Sequence, residues 1–347
     1  MEVKSYLTNI RMRLIVVFLI FMSGIQEADS QSAVRADSIY ALIKSQSIHR
    51  NTADWKAIDK GLNAKFLSAS DGVDSIKSLI YVFEQLNDFH SSITFRNKQY
   101  GNYPSFDDST LKHLVSLVMK SQEQNGIIKT AILLEKYGYI QVPGIKAQGN
   151  LIDVFAKVLS DSLCELASKG MEGYIIDLRL NGGGQLSSMA TGLSQLLGAG
   201  YLGGGVNLSG ELTYKFEIID DNFNINGNPM TKLLNDCYFF IEDKPVVLIT
   251  GPATMSSGSI LAIIFKQRPN TFFIGEPTAE GYSTGNDFFY FGPDLQMNLS
   301  TSFNQDRANI LYKNSVNPDL LIKGKDDFEN LENDGKIIQA LDWFKKQ

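Results

Sequence analysis

Residues 246–264 read VVLITGPATMSSGSILAII, and no other stretch restricts the fold so narrowly. The apolar run Val246–Ile249 ends in Gly251-Pro252, small and hydroxyl residues follow, and a second apolar run begins at Ile260. An unbroken apolar run closed by Gly-Pro predicts a buried strand and a tight turn, and the second run predicts a helix. Ser256, Ser257 and Ser259 fall in that helix's first turn. A serine placed there stands clear of the sheet edge, beside N–H groups that have no partner in their own helix. Such groups stabilise a developing oxyanion, so the position suits a nucleophile. The same hydroxyls would equally serve as helix caps, and the stretch by itself does not choose.

The rest of the chain supplies an α/β frame for this unit. Tyr137–Pro143 and Gly173–Leu180 read as strands, residues 151–166 as an apolar-striped helix, and Thr271–Gly275 as a further strand. Strands alternating with helices predict crossover connections and a largely parallel sheet. Phe288–Phe291 and Leu295–Thr301, flanking Gly292-Pro293-Asp294, read as a hairpin. Residues 31–95 carry helical stripes (Trp55, Ile58, Leu62, Phe66; Ile76, Leu79, Ile80, Phe83, Leu86) and predict a helical N-terminal region. Residues 96–126, polar at first and containing Gly101 and Pro104, read as a linker or surface excursion. The larger α/β domain is expected over 127–347, with a loop-rich excursion from Gly198 to Lys244.

Residues 1–30 form a separate unit. Lys4, Arg11 and Arg13 precede the apolar run Leu14–Met22, which is too short for a comfortable membrane span. The pattern is that of a secretory signal with Ala28-Asp29-Ser30 before the cut, so export is expected, to a periplasm or the extracellular space. A net charge of −6 gives no encouragement to nucleic-acid binding. Only Cys164 and Cys237 occur, without zinc-site spacing, and there are three histidines, so neither a metal nor an organic cofactor is expected. Whether the cysteines pair is not legible from spacing.

Two further constellations bear on chemistry. Asn181-Gly182-Gly183-Gly184 follows a buried strand, and three glycines permit a backbone that presents N–H groups to an anion. No phosphate-loop framework surrounds them, which leaves an oxyanion turn or a purely structural one. His90 lies where a helix runs into an irregular polar segment, Asn87–Ser92, with Asp88 and Ser91 beside it. A histidine there is either a structural residue or the base that a serine nucleophile needs near neutral pH.

Taken together, these segments resemble peptidase family S41, the tail-specific or C-terminal processing proteases. Ile175–Gly184 (IIDLRLNGGG) is similar to the family's D-L-R-x-N-x-G-G segment, and Thr254–Ser259 to its nucleophile segment with Ser256 at the serine's place. Leu86–Ser91 resembles the L-x-D-x-H-S segment of members that use histidine, Gly275–Ala279 and Ser283–Asn286 resemble the strand and loop that follow the nucleophile, and Asn317-Pro318-Asp319 the closing P-D element. The resemblance implies a crotonase/ClpP-like ββα core and a serine peptidase acting on a peptide or protein. In it Ser256 attacks, His90 is the base, and N–H groups of Ser257 and of Gly183 or Gly184 hold the oxyanion. Asp88, Tyr312 and Glu276 are candidates to orient His90. The lysine that the processing proteases place about 25 residues after the serine, as their general base, would fall at Gly281, and Tyr312 stands where the tricorn-like branch has a Glu. The resemblance is therefore closer to the histidine-using branch that includes the tricorn core and the interphotoreceptor retinoid-binding protein, and the stretch from His90 to Tyr137 is too short for the PDZ domain that many processing proteases carry. That branch also brings the alternative of a non-catalytic protein binding an apolar ligand or a peptide, and an esterase for small acyl substrates would use the same residues.

Overall fold

Six strands form the sheet that carries the 246–264 stretch. Their order is Leu320–Leu321, Thr271–Gly275, Val246–Thr250, Gly173–Asp177, Tyr137–Gln141 and Lys129–Leu133. All neighbours run parallel except the last pair. Val246–Thr250 and Gly173–Asp177 are buried along their whole length, because both faces are covered. Side chains alternate between two cores. Tyr174, Ile176, Val246, Leu248 and Phe273 face the helices Leu151–Ser168, Leu186–Gly192 and Ser257–Phe265. Ile175, Val247, Ile249 and Ile274 face the C-terminal helix Gly335–Phe344, where Phe344 stacks on Tyr137 with ring centroids 4.5 Å apart.

This computed structural model describes residues 36–124, 126–233 and 237–347. The expected leader, residues 1–30, lies outside the described residues. Two compact units are present. One contains the described residues up to Tyr103 together with Asn286–Ser300; the other contains Pro104–Gly285 and Thr301–Gln347.

In the first unit, helices at 36–46, Trp55–Ser68, Gly72–Ser78 and Ile80–Gln85 bury Ile39, Ile43, Ile58, Leu62, Ile76 and Phe83. Their apolar stripes are core faces, as the periodicity requires. The region is not wholly helical. Ser92–Phe95 is a strand, paired on one side with Lys98–Gly101 and on the other with Leu295–Asn298. The expected turn at Gly292–Asp294 is present, with the Phe291 N–H donating to the Leu295 carbonyl at 2.9 Å.

In the second unit, two stretches that read as loop are ordered elements. Residues 96–126 were expected to be a linker or surface excursion, and within them Asp108–Gln124 is a 17-residue helix. Asp107 caps it through bonds to the backbone N–H groups of Ser109 and Thr110. Leu117 anchors it against Leu180 and Ala253. Polar composition concealed the helix because only a narrow stripe of it is buried. The Gly198–Lys244 excursion contains an antiparallel meander, Gly200–Val206, Leu212–Ile219 and Asn222–Ile225, extended by residues 303–306. Its first strand is glycine-rich because Tyr214 crosses it: a Cβ at Gly205 would overlap the Tyr214 ring. Cys164 and Cys237 form a disulfide in this unit.

Candidate active site

Ser256 sits at the junction of strand and helix with φ 54° and ψ −128°. That backbone state is rare for a residue with a Cβ and persists only where the surroundings enforce it. They do so from three sides. The Thr254 hydroxyl donates to the Leu178 carbonyl at 2.7 Å and accepts from the Gly251 N–H at 3.0 Å. The Met255 N–H donates to the Asn181 carbonyl at 3.0 Å, and the Ala279 N–H to the Thr254 carbonyl at 2.9 Å. Ser256 makes no side-chain cap bond to its helix and is half-buried.

The glycine turn lies directly against this serine. A Cβ on Gly183 would stand 2.7 Å from the Ser256 Cβ and 3.1 Å from the Ser257 nitrogen, so only glycine fits at its φ of +97°. The Ser257 hydroxyl donates to the Gly184 carbonyl at 2.7 Å, tying the two turns together. Gly183 and Gly184 are not equivalent. The Gly183 N–H is already held by the Asn181 side-chain oxygen at 3.0 Å. Gly184 pairs with Ile145 through its neighbours, the Gly183 carbonyl and the Gln185 N–H, which leaves its own N–H outside that ladder. The Ser257 N–H opens its helix and has no carbonyl there to donate to.

A cavity of about 600 Å³ opens beside these turns. Gly182–Gly184 and Met255 form one wall, and Val118, Leu180 and Ala253 with Phe155 supply apolar surface. The Asp108–Gln124 helix is fixed over it by a bond from the Ser121 hydroxyl to the Leu180 carbonyl at 2.8 Å.

Asp177 and Arg179, flanking Leu178, belong to a buried ion network rather than to the reactive surface. Arg179 bonds Asp177, Asp326 and Asp334, the last two at 2.6 Å. Burial opposes ionisation of Asp177, but the Arg179 charge and hydrogen bonds hold its carboxyl below the usual range. Glu276 joins this network. Its carboxylate accepts from Lys336 at 3.0 Å and from the Gly324 N–H at 3.2 Å, with His113 Nε2 at 3.7 Å. His113, Glu276 and Asp326 cluster closely enough to suggest a metal site. The Lys336 ammonium already bridges the two carboxylates, 2.7 Å from Asp326, and supplies the positive charge there. Tyr312 donates to Asp306 at 2.9 Å, which also accepts the Ala308 and Ile310 N–H groups.

The Peptidase family S41 model matches residues 136–322, more than half of the 347-residue chain. The chain belongs to peptidase family S41. Among S41-related proteins, a nisin-resistance protein of Lactococcus lactis subsp. lactis is 29% identical over 209 residues, which span 60% of each protein. A lipoprotein structure from Streptococcus agalactiae superposes with TM-score 0.65 at 20% identity, covering 91% of this chain and 96% of that one. A photosystem II D1 C-terminal processing protease superposes with TM-score 0.51 at 12% identity, covering 89% and 97%. At such identities the likeness is one of fold. His90 lies in the first unit, outside the residues that the family model matches. There Asp88 accepts the backbone N–H groups of His90 and Ser91 at 3.1 and 2.9 Å, the Ser91 hydroxyl, and the Ser300 hydroxyl at 3.1 Å. Asn286 donates to the His90 carbonyl at 3.3 Å. Burial pushes the His90 pKa down to about 4, against the opposing pull of Asp88.

Sequence reasoning named Asn181 only as the start of the glycine turn, without a role of its own, and missed Ser300. Asn181 bonds the Val142 and Pro143 carbonyls, Gly183 and Met255, and so joins one strand end to both turns. Its place at the end of a buried strand was the available signal. Ser300 had none, being 212 residues from Asp88.

Proposed function

We propose that this S41 protein is an exported serine peptidase in which Ser256 is the nucleophile and His90 the general base. The observation that carries the reading is the enforced left-handed Ser256, packed against a glycine turn whose residues, with Met255, line a cavity of about 600 Å³. In the proposed reaction Ser256 Oγ attacks the substrate carbonyl while His90 takes its proton and then gives it to the leaving amine. Water hydrolyses the acyl-enzyme by the same exchange in reverse. The tetrahedral oxygen is held by the Gly184 and Ser257 N–H groups; Gly183, whose N–H serves Asn181, is the weaker of the two glycine candidates. Removing one such donor typically costs about 3 kcal/mol of transition-state stabilisation. His90 is neutral at pH 7, the form that accepts a proton, and the same burial makes it a weaker base than an ordinary histidine.

Of the candidates to orient His90, Asp88 is favoured as a positioning residue, because it fixes the backbone of the His90 loop. Glu276 and Tyr312 are bonded to Lys336 and Asp306 instead. The wider frame is proposed to be a crotonase/ClpP-like core of the histidine-using, PDZ-free branch. Export is proposed from the N-terminal pattern, the disulfide and the relative classed as a lipoprotein. No helix among the described residues is long and apolar enough to cross a membrane. The relative named for nisin resistance makes nisin the first compound to try as substrate.

The test is covalent labelling by a fluorophosphonate. Labelling at Ser256 that is lost in Ser256→Ala and falls sharply in His90→Ala is the expected result. Absence of labelling from neutral to alkaline pH, with retention of an apolar ligand, would replace the peptidase by a binding protein.

A further inference from the structure

The six-stranded sheet ends differently on its two sides. On one side the last strand, Leu320–Leu321, offers two residues. On the other, Lys129–Leu133 offers five, and no described strand pairs with its outer edge. Proteins usually blunt such an edge with a proline, a bulge or a short strand, because its free N–H and C=O groups recruit another strand. This strand runs without a bulge against Tyr137–Gln141, contains no proline, and has Lys129 as its one charge. Ala131 and Leu133 face the core beneath the C-terminal helix, so Thr130 and Ile132 alternate onto the open face, where both are exposed.

The turn that follows is unusual as well. The Lys136 N–H donates to the Leu133 carbonyl at 3.1 Å across Leu134 and Glu135, whose φ angles are 49° and 59°. Two residues at positive φ make a turn that suits Asn and Gly. A leucine there is strained, and among the described residues Leu134 is the one aliphatic side chain held at positive φ. It is also 56% exposed, so burial within its own chain does not offset the strain.

We propose that this edge pairs with the same edge of a second copy of the chain, antiparallel about a two-fold axis at Ile132, to form a homodimer. The charges favour a second copy over an unrelated strand. Lys129 and Glu135 stand three residues before and three after Ile132. A two-fold there brings Lys129 of one copy to Glu135 of the other, twice, while Lys136 is already matched by Glu172 at 3.0 Å. The same axis sets Thr130 opposite Leu134 and Ile132 opposite its own counterpart, neighbours close enough to pack. Ile132 and Leu134 are thereby covered, and Leu134 gains the burial that a single chain does not give it.

One strand pair with its turns makes a small interface, so the dimer should be weak. Sedimentation equilibrium of the purified protein from about 1 to 300 µM should show a monomer–dimer equilibrium with a dissociation constant of about 10–100 µM. Leu134→Asn gives the turn a residue that tolerates positive φ. Its thermal midpoint, measured at about 1 µM where the monomer prevails, should hold or rise, while dimerisation weakens about tenfold or more. That split separates a dimer anchor from a residue needed for folding. Lys129→Glu and Glu135→Lys should each weaken the dimer about fivefold, and the two together should restore it, because the exchange again sets opposite charges face to face. A monomer at every concentration, a dimer that Leu134→Asn leaves intact, or a double exchange no tighter than the single ones overturns the proposal.

Discussion

The Ser256 turn and the His90 loop are held by different means. Ser256 is fixed by many backbone bonds spread over Leu178, Asn181, Gly251 and Thr254, within a unit whose central strands are buried on both faces. The His90 loop centres on one carboxylate, Asp88, which accepts from two backbone N–H groups and two hydroxyls, while Asn286 donates to the His90 carbonyl. The contrast teaches that a strained nucleophile is held by bonds spread over several segments, whereas a loop can be organised around one well-placed acceptor.

The largest expected effect separates chemistry from scaffold. Ser256→Ala should lower kcat/KM by about a thousandfold or more while leaving the thermal midpoint unchanged, measured on a peptide substrate. If activity survives, the turn is scaffold only. Breaking the Cys164–Cys237 disulfide comes next, acting on stability in the serine unit. Its 73-residue separation corresponds to about 4 kcal/mol in the chain-entropy account, read from denaturant midpoints of the double Ser variant.

Asp88→Ala should cost about 3 kcal/mol, because it strands buried donors, and should depress activity along with stability. Asp88→Asn, similar in shape, should recover part of both; equal loss in the two variants would show that the charge, not the loop geometry, matters. On the serine side, Asn181→Ala removes several bonds yet leaves the other tethers, so a smaller loss of about 2 kcal/mol is expected. A loss exceeding that of Asp88→Ala would invert the comparison.

The last effect, absent at neutral pH and developing only in acid, is the pH dependence of His90. Its folded pKa of about 4 lies below the ordinary 6.5, so the unfolded chain binds the proton more readily. Stability from its neutral burial is therefore complete above pH 6.5 and is lost as pH falls towards 4. If His90 is the base, the acid limb of kcat/KM should fall near pH 4 rather than 6.5. A limb at 6.5 would show that the burial is relieved in the working enzyme.

Much of the serine unit was legible because its signals are local. The 246–264 run, the Asn181–Gly184 turn and the α/β alternation follow from apolar patterning and glycine chemistry within a few residues. The helix Asp108–Gln124 and the meander after Gly198 were not, since a narrow buried stripe and a glycine-rich strand resemble loop in composition. The sequence by itself determined which hydroxyl stands at the strand–helix turn, which glycines lie against a buried strand, and which family the chain resembles. Tertiary structure alone decided that Gly183's N–H is occupied by Asn181, that Glu276 belongs to Lys336, and that Ser300 completes the Asp88 cluster. The reason is physical: hydrophobic period and turn chemistry are properties of neighbouring residues, while a hydrogen-bond partner depends on which distant segment folding brings within about 3 Å.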